Sequence, residues 1–285
     1  MATSRCRRPR WHHGAVQPSA GLRIVRVLAP NPGPYTLEGT NTWVVGSGEC
    51  IVVDPGPEDP AHREAVLRAA GIVAAIVLTH RHADHAAGAV VLARSAGAPV
   101  YAGAPVEGER ATRDGNRIAA RGFSLEVVAA PGHSPDHLVL FERDTRSLFT
   151  GDAVLGRGTS VIDPPEGDLS DYLESLDRMR RLGPSMIYPG HGPIVDNAVE
   201  KIDEYVAHRR QRERQILRGL AEGPRTPDEL VPEIYAAYPK ELHLAASRSV
   251  LAHLVKLERE GRVVRSGPDD RFGLLGDPPG PERPA

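Results

Sequence analysis

Residues 72 to 94 constrain this chain more than any other stretch. Ile72-Val73-Ala74-Ala75-Ile76-Val77-Leu78 is an apolar, β-branched run of strand length behind a turn-prone Gly71, and it delivers Thr79-His80-Arg81-His82-Ala83-Asp84-His85. Side chains alternate faces along an extended backbone, so His80 and His82 leave the strand end in one direction. Ala86 to Arg94 reads as a helix, which puts Asp84 and His85 at the mouth of the next element. Ligand-type side chains at this density, emerging from a buried strand, form the nucleus of a metal site where α/β proteins place their chemistry. Separate core histidines and a stray surface acid would not collect at this spacing.

The same device recurs down the chain: a strand, a glycine or polar turn, then a ligand-type residue. Ser124 to Ala129 leads to Pro131-Gly132-His133, Ser147-Leu148-Phe149-Thr150 to Gly151-Asp152, and Ser185-Met186-Ile187-Tyr188 to Pro189-Gly190-His191-Gly192-Pro193. The collected candidates are His80, His82, Asp84, His85, His133, Asp152 and His191. Imidazoles and carboxylates without thiolates suit Zn²⁺ first, with Mn²⁺ or Fe²⁺ as alternatives, and this set exceeds the needs of one four-coordinate ion. Two divalent ions are therefore expected. In the favoured pairing His80, His82 and His133 hold the first, Asp84, His85 and His191 hold the second, and Asp152 bridges them. Two cations roughly 3.5–4 Å apart can share a hydroxide at neutral pH and stabilise charge on a substrate oxygen, which is hydrolytic chemistry. Asp84 is expected to orient that hydroxide and shuttle a proton as the catalytic residue. His137, one strand position past the turn, reads as a supporting residue rather than a ligand.

Elsewhere Leu22–Leu28 reads as a strand, the proline-dense Ala29–Thr36 as a loop, and Trp43-Val44-Val45 with Cys50–Asp54 as a hairpin. Asn41 and Thr42 either approach the substrate or stabilise a turn. Pro60–Ala70 is a short helix, Pro99–Ala102 a strand, residues 107 to 121 an exposed connection near the rim of the site, and Leu138–Phe141 a strand. Asp168 opens an amphipathic helix with acids in its first turn. A long helix runs from Asn197 to Leu220, and its Arg209, Arg210, Arg212, Arg214 and Arg218 read as a solvated face, the alternative being a phosphate-contacting stripe. Beyond Gly223-Pro224, a capped helix start at Thr226, a helix over Leu244–Glu260 and a small hairpin (262–265 with 272–275) give the outline of a winged helix. The expected division is a disordered extension over 1–20, a main domain over 21–222 including the closing helix, a winged-helix-like domain over 223–275, and a disordered Pro-rich tail over 276–285.

The set Thr79-His-x-His-x-Asp-His85, His133 in Pro-Gly-His, Asp152 in Thr-Gly-Asp and His191 in Pro-Gly-His-Gly-Pro resembles the metallo-β-lactamase superfamily. That resemblance covers residues 22 to 195 and implies a four-layer αββα sandwich with the metals at one edge of its sheets. Asn31-Pro32-Gly33-Pro34-Tyr35-Thr36-Leu37-Glu38-Gly39-Thr40-Asn41-Thr42 and the His208–Leu217 helix before a winged-helix-like end look like the β-lactamase-like protein 2 branch. The branch is linked to single-stranded RNA cleavage, and related members to thioester hydrolysis. A lactam-hydrolysing role fits less well, since the resemblance implies that neither a bridging Asp152 nor an appended C-terminal domain is usual there.

Composition narrows the choice. The chain has 285 residues, 40% hydrophobic and 25% charged, and a net charge of −2, which makes no global case for nucleic acid or anionic membranes. Lysine stands only at 201, 240 and 256, so arginine runs carry little information by themselves. Cys6 and Cys50 form neither a metal motif nor a disulfide framework, consistent with a reducing, cytoplasmic setting. No run approaches the ~18 apolar residues of a membrane helix. Met1–Gly14 is Arg-rich without an apolar core, so a mitochondrial transit segment is the alternative to a disordered extension. The leading expectation is a dinuclear metallohydrolase. Its substrate is an acyl thioester or small ester, as in glyoxalase II-like enzymes, or single-stranded RNA; a homodimer is allowed. The non-enzymatic alternative is a nucleic-acid-binding protein with a structural metal. A thioester needs a narrow pocket and RNA an open groove with basic walls, so charge around the site discriminates.

Overall fold

The computed structural model describes residues 15–16, 21–236, 240, 243–266 and 269–275. Its first sheet begins with β1 (Ala15–Val16), β2 (Ile24–Leu28), β3 (Asn41–Val45) and β4 (Glu49–Val53), antiparallel neighbours in chain order. Helix α1 (Pro60–Ala70), whose cap Asp59 accepts from the His62 amide at 2.7 Å, returns the chain so that β5 (Ile72–Val77) pairs parallel with β4. After α2 (Ala83–Ala86) and α3 (Ala89–Ala96), β6 (Val100–Ala102) and β7 (Arg110–Ala111) complete that sheet. The second sheet is an antiparallel meander of β8 (Arg117–Ala120), β9 (Phe123–Ala129), β10 (Leu138–Glu142) and β11 (Ser147–Gly151). Helix α4 (Leu169–Leu182) then crosses back, and β12 (Met186–Pro189) pairs parallel with β11.

Strand alternation builds the layers. In β4, Cys50 and Val52 face Val66 of α1 and Leu92 of α3, while Ile51 and Val53 meet Trp43, Leu125, Leu140 and Phe149 between the sheets. In the second sheet Val139, Phe141 and Leu148 turn outward to Leu176 and Met179 of α4 and to Ile202 and Tyr205 of α5 (Ala198–Leu220). Both faces of both sheets are covered, which is why these strands read as unbroken apolar runs. The result is the expected four-layer αββα sandwich.

The C-terminal unit comprises α6 (Pro227–Ile234), opened by a Thr226/Glu229 capping box, α7 (His243–Arg259), and the hairpin β13 (Val263–Ser266) and β14 (Arg271–Leu274). Leu230, Val250, Leu254, Leu257 and Phe272 form its core, and Ile216 and Leu220 of α5 join them. Helix α5 thus contributes to two cores, with Ile202 and Tyr205 in the sandwich and Ile216 and Leu220 in the C-terminal unit.

Four readings change. Residues 107–121 are not only a connection: backbone pairing makes β7 an edge of the first sheet and β8 an edge of the second, and Ile118 of β8 is buried between the sheets. The helix read from Ala86 breaks at Gly88, where a Cβ would lie 3.0–3.3 Å from the carbonyls of Pro55, Gly56 and Pro57. Ala15 and Val16 pair with β2 inside the stretch read as disordered; the rest of that stretch and the 276–285 tail lie outside the described residues. Arg209 and Arg212 are buried, because the face of α5 that carries them is covered by its neighbours. Arg209 lies over the Tyr172 ring and donates to the Ser160 carbonyl at 2.5 Å; Arg212 lies over Tyr235 and donates to the Ile234 carbonyl at 3.0 Å. Among the described residues no helix is long and apolar enough to cross a membrane.

Candidate metal centre

All seven candidate ligands meet at one edge of the sandwich, beyond the strand ends that deliver them. The donors of His80, His82, His133 and Asp152 lie within 4.8 Å of one another, and so do those of Asp84, His85 and His191. In the first group His82 Nδ1 is 3.0 Å from His80 Nε2 and 3.1 Å from His133 Nε2. In the second His191 Nε2 is 3.2 Å from both His85 Nε2 and Asp84 Oδ2. Asp152 faces both: its Oδ1 is 3.4 Å from His85 Nε2 and from His191 Nε2, and its Oδ2 is 3.8 Å from His133 Nε2.

The outward nitrogen of each ring meets an oxygen. His133 Nδ1 donates to the Val161 carbonyl at 2.7 Å and His191 Nδ1 to the Gly39 carbonyl at 3.2 Å. His85 Nδ1 donates to Asp54 Oδ2 at 2.9 Å. Thr79 Oγ1 donates to that same Asp54 oxygen at 2.7 Å, which leaves it to accept from His80 Nδ1 at 3.0 Å. His82 Nε2 lies 3.4 Å from Glu166 Oε1. Because these partners fix the tautomers, the lone pairs converge inward, as a set of metal-binding imidazoles requires.

Asp54 and Glu166 were missed in the sequence. Asp54 closes β4 at φ +51° and is buried, its Oδ1 also accepting from the Thr79 amide at 2.8 Å. It occupies the same strand-end station as the ligands, ahead of Pro55-Gly56, and that repetition was the available signal. His137 supports as expected: its ring stacks on His80 at 4.8 Å, and its Nε2 accepts from the Asp152 amide at 3.2 Å. Asn41 and Thr42 are structural. Asn41 donates to the carbonyls of Pro189 and Gly192, and Thr42 to that of Asp54.

The electrostatics favour a cation. Burial alone would discharge His85, yet the Asp152 and Asp54 carboxylates outweigh it and hold its pKa well above the ordinary histidine value. Burial is likewise overcome at His191, which Asp152 and Asp84 push up to about 9. At His80 and His133 burial prevails and the rings are kept neutral. The Asp152 carboxyl is held well below its usual range because the facing His85 and His191 outweigh its desolvation. The carboxylates that hold protons on His85 and His191 would equally hold a divalent ion in their place, and the neutral rings of His80 and His133 already offer lone pairs, so the set fits divalent metal ions.

Residues 35–124 and 106–191 match the Metallo-beta-lactamase superfamily. The chain belongs to that superfamily. Residues 226–271 match the Beta-lactamase associated winged helix domain, which accounts for the C-terminal unit. A Beta-lactamase-like protein 2 homolog of Caenorhabditis elegans is 38% identical over 272 residues, covering 89% of this chain and 90% of that protein. An Atrochrysone carboxyl ACP thioesterase of Aspergillus fumigatus is 33% identical over 244 residues, covering 77% of this chain and 76% of its own. A metallo-beta-lactamase family protein from Thermus thermophilus superposes with a TM-score of 0.74 at 26% identity, covering 88% of this chain and 98% of that one. The chain is a metallo-β-lactamase superfamily hydrolase, and a cleft of about 370 Å³ lies over the candidate ligands. Pro34, Tyr35 and Leu37 of the proline-rich loop form one side, and Leu155, Arg157 and Val161 lie among the residues lining it. Asp163 and Glu166 also line the cleft, and Arg157 is its single Lys or Arg among the described lining residues.

Proposed function

We propose that this superfamily hydrolase is a dinuclear thioesterase. His80, His82 and His133 would hold one divalent ion, Asp84, His85 and His191 the other, and Asp152 would bridge them. The observation that carries this is Asp152, whose two oxygens turn to different groups of imidazoles. Divalent cations held there activate water at neutral pH and neutralise charge developing on a carbonyl oxygen. Asp84 stays ionised, because the facing His191 and His85 outweigh its desolvation, and its partly exposed carboxylate lines the cleft. From there it accepts a hydrogen bond from the attacking water and orients it. Thr40 Oγ1, 3.4 Å from Asp84 Oδ2, steadies that carboxylate.

An acyl thioester is favoured by the cleft and by the thioesterase-named relative. The walls offer Pro34, Tyr35, Leu37, Leu155 and Val161 to an acyl group. Glu166 would repel a neighbouring phosphate, and Arg157 already pairs with Glu38 at 2.7 Å. The test is thiol release from acetyl and long-chain acyl thioesters by metal-loaded protein, in parallel with cleavage of single-stranded RNA. Asp152→Ala should lose bound metal and thioester turnover together. Retention of two metals per chain in that variant would refute the bridge, and RNA cleavage without thiol release would refute the substrate class.

A further inference from the structure

The segment 160–168 is one wall of the cleft, and it has two faces. Its inner face touches the metal centre: the Val161 carbonyl accepts from His133, Glu166 stands beside His82, and Ser160 and Asp163 line the cleft. Its outer face is gripped by arginines of α5 and α7. Buried Arg209 donates to the Ser160 carbonyl. Arg248 donates through Nε to the Asp163 carboxylate and through Nη2 to the Pro164 carbonyl, and Arg259 reaches the Asp168 carboxylate, which also caps α4.

Ile162 seats this wall in the sandwich core and the Asp168 amide donates to the Gly132 carbonyl at 2.8 Å, while the stretch from Pro164 to Gly167 borders α7 across a gap. Between Pro164, Pro165 and Gly167 on one side and Leu251, Ala252 and Val255 of α7 on the other lies a groove of about 400 Å³. The wall therefore spans that groove, tied across it by guanidinium groups where close packing is lacking. A planar guanidinium holding a carboxylate and a carbonyl at once fixes direction as well as distance.

We propose that Arg248 is a positioning residue through which the winged-helix unit sets the 160–168 wall, and with it the size of acyl group the cleft accepts. Arg209 and Arg259 hold the two ends of the same wall. The size-selection half rests on the thioester reading; the mechanical half does not.

The experiment compares Arg248→Ala and Arg248→Lys with the wild-type chain in two measurements. Hydrogen exchange should quicken by about tenfold in peptides covering 160–168 of Arg248→Ala and stay unchanged in β11 and α4, as expected for losing one two-pronged tie. KM for a long-chain acyl thioester should rise about fivefold while kcat and KM for the acetyl thioester hold. Arg248→Lys, keeping one prong, should fall between. Unchanged exchange in both variants would overturn the proposal. So would equal losses on both thioesters with faster exchange throughout the chain, since that describes general destabilisation. If the wild-type chain cleaves no thioester, the substrate reading fails and the exchange measurement alone decides whether Arg248 holds the wall.

Discussion

Asp54→Asn exposes the logic of the centre better than removal of a ligand, because it changes one buried atom and no metal donor. Every partner of the Asp54 carboxylate donates to it: the Thr79 amide at 2.8 Å, Thr79 Oγ1 at 2.7 Å and His85 Nδ1 at 2.9 Å. An amide in that position must aim its NH₂ at a donor whichever way it is flipped. If it faces Thr79 N, a buried pair of N–H groups collides, at a cost of about 1–3 kcal/mol. If it faces His85, relief requires the opposite tautomer, which points an N–H into the cluster where a lone pair is needed. Loss of such an orienting partner costs about 10–100-fold in metal affinity, or roughly 1.4–2.8 kcal/mol. Chelator competition should therefore show one weakened ion of two, assigned to the His85 group, and kcat/KM at limiting metal should fall in parallel. Both quantities within twofold of wild type would refute the tautomer argument.

Asp84→Asn should keep the fold while kcat falls about 100-fold or more, and unchanged kinetics would remove its orienting role. Gly190→Ala places a Cβ 2.6 Å from Asp152 Oδ1 and 2.7 Å from His85 Cε1, so metal affinity should drop roughly tenfold; full metal content by elemental analysis would contradict that. Burial lowers the His62 pKa to about 4, so only the unfolded chain takes up that proton as pH falls below about 6.5. Its contribution to stability is complete above that pH and is lost on the way down to about 4, on the order of 3 kcal/mol in all. Urea titrations of wild type and His62→Gln at several pH values check this, and parallel curves between pH 6.5 and 4 would disprove it.

The ligands were legible because each stands at a fixed place relative to a strand that announces itself. His80, His82, Asp84 and His85 share one turn of chain, and Gly132, Gly151 and Gly190 mark the approach to the others. The layers followed from apolar runs too continuous for one-sided sheets. Asp54 shares the strand-end station of the ligands, but that signal is masked because one acid before Pro-Gly is also what a turn requires. Arg209 and Arg212 were misread for a related reason: a helix face records polarity, and only the tertiary partner decides whether a guanidinium meets water, an aromatic ring or a carbonyl. Strands β7 and β8, of 2 and 4 residues, are too short to show an alternating pattern, and Ile118 is the one side chain of theirs buried in the core.

Helix α5 has a consequence for how this chain could be taken apart. Its 23 residues place Ile202 and Tyr205 in the sandwich and Ile216 and Leu220 in the winged-helix core, along a rod of about 34 Å. No seam separates the modules. A crossover, transposon or protease cutting between them must either sever a helix that both halves bury or leave one half with the other's apolar turns exposed. Variation is then confined to paired change, in which a new sandwich arrives with its own α5 and winged helix.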